Sequence, residues 1–206
     1  MKQTTSSSKR SAGRPRVFDR EQALSIALDL FWRHGFDGTS IPQLTAAMNI
    51  SPPSLYAAFG SKDVLYREAV KLYQTRYSGF MNILFDEKIS ARDAVEHALL
   101  AAAKQFSDPG HAPGCMISSA ELQASPDNQK LAAEITSFRQ AAQQVVYTRL
   151  EAARKSGELS VKTDTASLAA FYAMVTQGMS VQARDGAKAA VLKRLAKLAM
   201  QAWPHS

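Results

Sequence analysis

The sequence predicts an all-α protein of about nine helices, on three observations. Apolar residues recur at three- and four-residue spacing, as in Leu24, Ala27, Leu28 and Phe31. Helix-starting residues precede such runs and glycine or proline follows them, as Asp19 and Gly35 bracket the first. No stretch alternates apolar and polar residues for the length of a strand, and no internal repeat is present.

Each element follows in turn. Asp19 with Gln22 reads as a capping box for the first helix, which Gly35 stops. Ser40 with Gln43 makes a second box, and Pro42 is tolerated in that first turn. This short helix places Ile41, Leu44 and Met48 on one face. Ser51 caps a third helix, and Ser61 a fourth that runs through Leu65, Tyr66, Val70 and Tyr73 towards Phe85. Ser90 with Asp93 opens a fifth, ending near Phe106, and "SDPGHAPG" (107–114) is a loop by composition. A shorter helix is expected over 115–124, before Pro126, and a long one over 127–156, ended by Gly157. Helices over 164–184 and 187–202 close the chain, separated by Asp185-Gly186 and stopped by Pro204.

Composition narrows the function classes. With 206 residues, 46% of them hydrophobic and 21% charged, the chain can bury a core. A single cysteine, Cys115, excludes an internal disulfide framework and fits a reducing cytoplasm. No apolar run reaches membrane-spanning length, and the Ser/Thr/Lys-rich start has no apolar segment behind it, so neither a membrane anchor nor a secretory leader is expected. The formal net charge is +7. Residues 1–76 hold 11 Lys and Arg against 6 Asp and Glu, and the rest 14 against 12. Lys2, Lys9, Arg10, Arg14 and Arg16 stand in residues 1–16 with no acid among them. A basic excess in the first third is the footprint of a module that binds a polyanion.

The stretch "SPPSLYAAF" sharpens that expectation. Ser51 as N-cap puts Pro52 and Pro53 at the first two helical positions, whose N–H groups have no intrahelical partner anyway. Asn49, at the preceding turn, tolerates a left-handed backbone, and Ile50 plugs that turn into the core. Two short helices around a tight turn, flanked by further helices, make a helix-turn-helix. On its second helix Pro53, Ser54 and Ala57 offer small groups for close approach in a major groove, and Tyr56 offers a hydroxyl to phosphate. Lys62 beside the Ser61 cap, and Thr39 with Ser40 at the second helix, are natural phosphate positions. Ahead of them "GRPRVF" sets Arg14 and Arg16 around a proline, in an arm suited to a minor groove.

The segment "TSIPQLTAAMNISPPSLYAAFGSKDVLY" resembles the DNA-binding segment of the tetracycline-repressor (TetR) family, and the likeness extends over residues 17 to about 70. The resemblance implies a flexible basic arm (1–16), a helix-turn-helix domain (17–62) and a helical ligand-binding and dimerisation domain (63–206). It assigns DNA contacts to Thr39, Ser40, Ser51, Pro53, Ser54, Tyr56 and Lys62. Asn49 stands where the family usually has a turn glycine. Ala57 and Ala58 replace bulkier residues, which shifts readout towards DNA shape. The partners implied are double-stranded operator DNA, a small-molecule effector and a second copy of the chain, joined through the last two helices as a four-helix bundle. The place implied is the bacterial cytoplasm, at the nucleoid when bound to an operator.

Further along, "GCMISSAELQA" and "QGMSVQARDGA" resemble a branch of that family with a Gly-Cys element in the ligand-binding domain. Some of its members respond to electrophiles or oxidants, and a related one to copper. Cys115, near a helix N-terminus, is therefore weighed as a thiol sensor and as a small packed hydrophobe. Phe80, Phe106, Cys115, Met116, Phe138, Tyr147, Met174 and Gln177 are candidates to line an effector cavity or simply to fill core. His97, His111 and Cys115 lack the close spacing of a metal site, so no metal or cofactor is expected. No catalytic motif is present, which leaves an enzyme out. A constitutive architectural DNA binder without ligand response is the alternative to a regulator.

Overall fold

The computed structural model describes residues 19–120 and 125–204 and is all-helical there, with nine α-helices among the described residues. The first three are α1 (Arg20–His34), α2 (Ile41–Met48) and α3 (Pro52–Phe59). They fold with the start of α4 (Lys62–Tyr77) into a head whose core holds Ala27, Phe31, Phe36, Leu44, Leu55 and Phe59. Tyr66 of α4 meets Phe31 and Phe36 edge-on, at 5.0 and 5.2 Å between ring centroids, so α4 is structurally part of the head. Farther along, the same helix packs on the body.

Caps stand where local chemistry places them. The Asp19 carboxylate accepts from the amides of Glu21 and Gln22. Ser40 and Gln43 complete the reciprocal box: the Ser40 amide donates to Gln43 Oε1 at 2.7 Å, and the Gln43 amide to Ser40 Oγ at 3.3 Å. Ser51, Ser61, Ser90 and Asp164 each cap the helix that follows.

The fourth helix departs from its expected length. It ends at Tyr77, and residues Gly79–Phe85 form a 3-10 segment packed against α5 (Ala91–Phe106). The apolar run 80–85 keeps a helical spacing, yet its partner is α5 rather than an extension of α4. The body continues with α6 (Met116–Ser119), α7 (Gln129–Ser156), α8 (Thr165–Arg184) and α9 (Ala189–Ala199). Of the helix expected over 115–124, four residues are α-helical, and 121–124 lie outside the described residues. The body is built by packing α7 on α8 and α5 on α9, with α6 wedged among α1, α4, α7 and α8.

Head and body meet around the C-terminal end of α1. Trp32 is buried there against Tyr73 and Tyr77 of α4 and stacks on His111, at 4.8, 4.9 and 4.6 Å between centroids. Arg67 of α4 holds Glu134 of α7 through two bonds, at 2.7 and 3.0 Å. Asp37, just past α1, accepts from the Ser125 amide and the Asn128 side chain.

Candidate nucleic-acid interface and effector cavity

Between α2 and α3 the chain turns at Asn49, with φ 56° and ψ 48°. This left-handed backbone strains most L-residues and is tolerated by asparagine. Ile50 packs against the core and fixes the turn. The Ser51 hydroxyl accepts from the Ser54 amide at 3.3 Å and pairs with the Ser54 hydroxyl at 2.9 Å. Leu55 and Phe59 bury one face of α3, leaving Pro53, Ser54, Tyr56 and Ala57 exposed on the rest. The residues expected at a duplex are thus brought together on an outward surface, with Ser40 exposed on the neighbouring helix start.

Two expected contacts look different in three dimensions. Thr39 is buried, and its hydroxyl donates to the Gly35 carbonyl at 2.7 Å, so this side chain locks the α1–α2 turn and is not available to phosphate. Lys62 is half-buried, its ammonium 4.1 Å from the centre of the Phe36 ring. Arg14 and Arg16 lie outside the described residues.

The head's charge is lower than the basic first third implies. Residues 19–62 carry three Lys and Arg (Arg20, Arg33, Lys62) against four Asp and Glu (Asp19, Glu21, Asp29, Asp37). Arg20 grips Glu68 at 2.7 and 2.8 Å, and Arg33 holds Asp29 at 2.9 Å. The positive excess therefore resides in residues 1–16, not in the helices.

In the body, a cavity of about 270 Å³ opens between α4, α6, α7 and α8. Phe80, Cys115, Phe138 and Gln177, four of the eight candidates, line it, together with Gln74, Ser118 and Arg139. No acidic side chain is among its lining residues. The other four candidates lie elsewhere. Phe106 is fully buried beneath Phe80, at 5.6 Å edge-on, and Met116 is core. Tyr147 is half-buried on α7 away from the lining, and Met174 is 61% exposed on α8. Periodicity shows that such residues share a helical face but not which neighbour that face meets.

Cys115 caps α6 and is buried, its amide donating to Ser180 Oγ of α8 at 2.7 Å. The Tyr73 hydroxyl lies beside it. Burial first, and then the neighbouring thiol, hold that phenol well above the usual tyrosine pKa. Gly114, with φ 77°, lets the loop lie against α8: a Cβ there would fall 2.7 Å from the Ser180 carbonyl oxygen and 3.0 Å from Arg184 Cγ. His97 is exposed and His111 stacks on Trp32; among the described residues no three metal-ligating side chains converge. Sequence reasoning missed Arg139, which donates from α7 to the Ile117 and Ala120 carbonyls of the α6 segment, and Arg184. The only signal was that Arg184 sits in the "QARDG" stretch.

Comparisons with known proteins agree with this geometry. A family model described as bacterial regulatory proteins of the tetR family matches residues 23–69. The HTH-type transcriptional repressor ComR of Escherichia coli (strain K12) is 34% identical over 198 residues, covering 96% of this chain and 94% of its own. The HTH-type transcriptional repressor BdcR of the same strain is 34% identical over 183 residues, covering 88% of this chain and 87% of its own. Among solved structures, a cysteine-substituted form of the TetR family transcriptional regulator CifR, complexed with 26-bp double-strand operator DNA, matches with a TM-score of 0.87. It is 37% identical, over 93% of this chain and all of that one.

Proposed function

Because the chain belongs to the TetR family of bacterial regulatory proteins, and is thus a DNA-binding transcriptional regulator, we propose that it is a homodimeric repressor released from its operator by an effector in the body cavity. The observation that carries the reading is α3: a serine-capped, proline-started helix that buries Leu55 and Phe59 and presents Pro53, Ser54 and Tyr56 outward. In the major groove these small groups meet base edges, while Ser40, Ser51, Tyr56, Lys62 and the helix-start amides meet phosphates. Arg14 and Arg16 of the arm enter the adjacent minor groove. The head is assigned to 17–62, with the Tyr66 turn of α4 packed into it, and the body to the rest of 63–206, with the protein working in the cytoplasm and, when bound, at the nucleoid.

Dimerisation uses α8 and α9. Phe171, Met174, Gly178 and Val181 form one stripe on α8, with Met174 and Val181 exposed, and Leu198 is exposed on α9. Pairing these helices across a two-fold axis covers the apolar surface and sets two recognition helices about one DNA turn, roughly 34 Å, apart. The effector is small and largely apolar, a reading that the cavity's volume and its mostly apolar lining support. A preference of about 2–3 kcal/mol for a misaligned state weakens operator binding about a hundredfold. Modification of Cys115 is a second input, supported by its place in the cavity lining.

The test is binding to duplexes recovered by selection from a random pool, against scrambled duplexes at one salt concentration. A preference for the recovered sequence is expected. Equal binding overturns the reading in favour of an architectural binder. Alkylation of Cys115 with N-ethylmaleimide should weaken operator binding, and unchanged affinity at full modification removes the thiol input.

A further inference from the structure

The last side chain of α8, Arg184, ends on the head. Its Nη1 donates to the Trp32 carbonyl at 3.0 Å and to Ser119 Oγ at 3.3 Å, and its Nη2 donates to the Arg33 carbonyl at 3.0 Å. Trp32 and Arg33 lie in the final turn of α1, where carbonyls have no amide ahead of them to accept from, and where a cation is favoured. The stem of this exposed side chain passes close to the loop before α6. Gly114 approaches Arg184 so closely that an added Cβ would lie 3.0 Å from its Cγ. A planar fork held by three hydrogen bonds transmits orientation in a way a flexible ammonium does not.

Arg184 also joins three parts of the molecule that the chain separates. It stands on α8, the helix assigned to the dimer interface. It grips α1, which shares a core with α3, and it touches α6, whose Ile117 and Ser118 wall the cavity together with the capping Cys115. Within a dimer, the route from one recognition helix to the other through α1, Arg184 and α8 bypasses α4 altogether.

We propose that Arg184 is a positioning residue for operator binding, its guanidinium fixing the angle between head and body and so the separation of the two recognition helices. This rests on the dimeric DNA-binding reading given above. Cavity events reach the same joint through Ser119, which shares the guanidinium with the α1 carbonyls.

The test measures tolerance of half-site spacing. Duplexes carrying the half-sites selected by the wild-type protein are made at the selected spacing and at one or two base pairs more or less. Dissociation constants are measured by fluorescence anisotropy for wild type, Arg184→Gln, Arg184→Lys and Ser119→Ala, with dimerisation followed by sedimentation. The wild type should lose about tenfold or more on a two-base-pair change, since the heads must meet successive grooves. Arg184→Gln should remain a dimer, bind the selected spacing several-fold more weakly, and discriminate between spacings by less than about threefold. Arg184→Lys should fall between them. A merely structural role would lower stability and affinity at all spacings alike, and a wild-type spacing profile in Arg184→Gln overturns the proposal. Should that variant not fold, an unchanged profile in both Arg184→Lys and Ser119→Ala overturns it equally. A wild-type protein indifferent to spacing would overturn the paired-head reading itself, and this inference with it.

Discussion

Replacing Arg14 and Arg16 together with alanine should change how operator binding responds to salt more than any pair of changes in the helices. The helical head has little positive charge to spend: three cations against four acids in residues 19–62, with Arg20 on Glu68, Arg33 on Asp29 and Lys62 over Phe36. Residues 1–16 carry five cations and no acid. Each phosphate neutralised contributes about −0.9 to the slope of log affinity against log salt. Two arginines per protomer make four per dimer, so the double variant should lose about 3.6 from the magnitude of that slope. Between 50 and 200 mM salt the wild type should therefore weaken about 150-fold more than the variant does. Anisotropy titrations of one operator duplex across that range measure both slopes. Parallel lines, offset or not, would refute the placing of the arm's arginines in the minor groove, where they too displace counterions.

Three further outcomes are expected. Asn49→Ala should cost about 1 kcal/mol in urea denaturation, since alanine resists the left-handed backbone, while Asn49→Gly should be near neutral; equal losses would mean the turn is not what strains position 49. Gly178→Trp should give a folded monomer by sedimentation that no longer binds operator, because a Cβ at Gly178 meets nothing within its own protomer; a dimer of unchanged affinity would remove α8 from the interface. Burial raises the Tyr172 pKa to about 12, so the unfolded chain gives up that proton from about pH 10 while the folded one keeps it. This contribution to stability is complete below pH 10 and lost as pH rises towards 12, so Tyr172→Phe should show a shallower fall in urea midpoint between about pH 9 and 11. An equally steep fall would assign the alkaline loss to other groups.

What the sequence made legible was local. Caps at Asp19, Ser40, Ser51, Ser61 and Ser90 and the left-handed turn at Asn49 depend on residues within four positions, and all stand in the structure. The outward face of α3 was readable for the same reason, because Leu55 and Phe59 fix which side goes in. The break after Tyr77 was hidden, since Phe80 and Met81 continue a helical spacing and only α5, packed against them, decides otherwise. Thr39 turned inward because a carbonyl four residues back takes its hydroxyl, a choice of rotamer that composition does not express. Half of the residues read as cavity lining or core lie off this cavity, because an apolar stripe names a face and not its neighbour. The Arg184 joint spans more than 150 residues of chain, and no local pattern announces it.

The Gly-Cys pair unites two demands that are physically independent. Any side chain at Gly114 would collide with the Ser180 backbone and lever the loop away from α8, whatever the residue after it could do chemically. A descendant that kept the glycine and exchanged the thiol for serine would preserve the architecture and forfeit only sulfur reactivity; the reverse exchange would forfeit the architecture first. When sequences related to this one are sorted, the glycine marks who keeps the close approach to α8, and the cysteine marks only who keeps a thiol beside it.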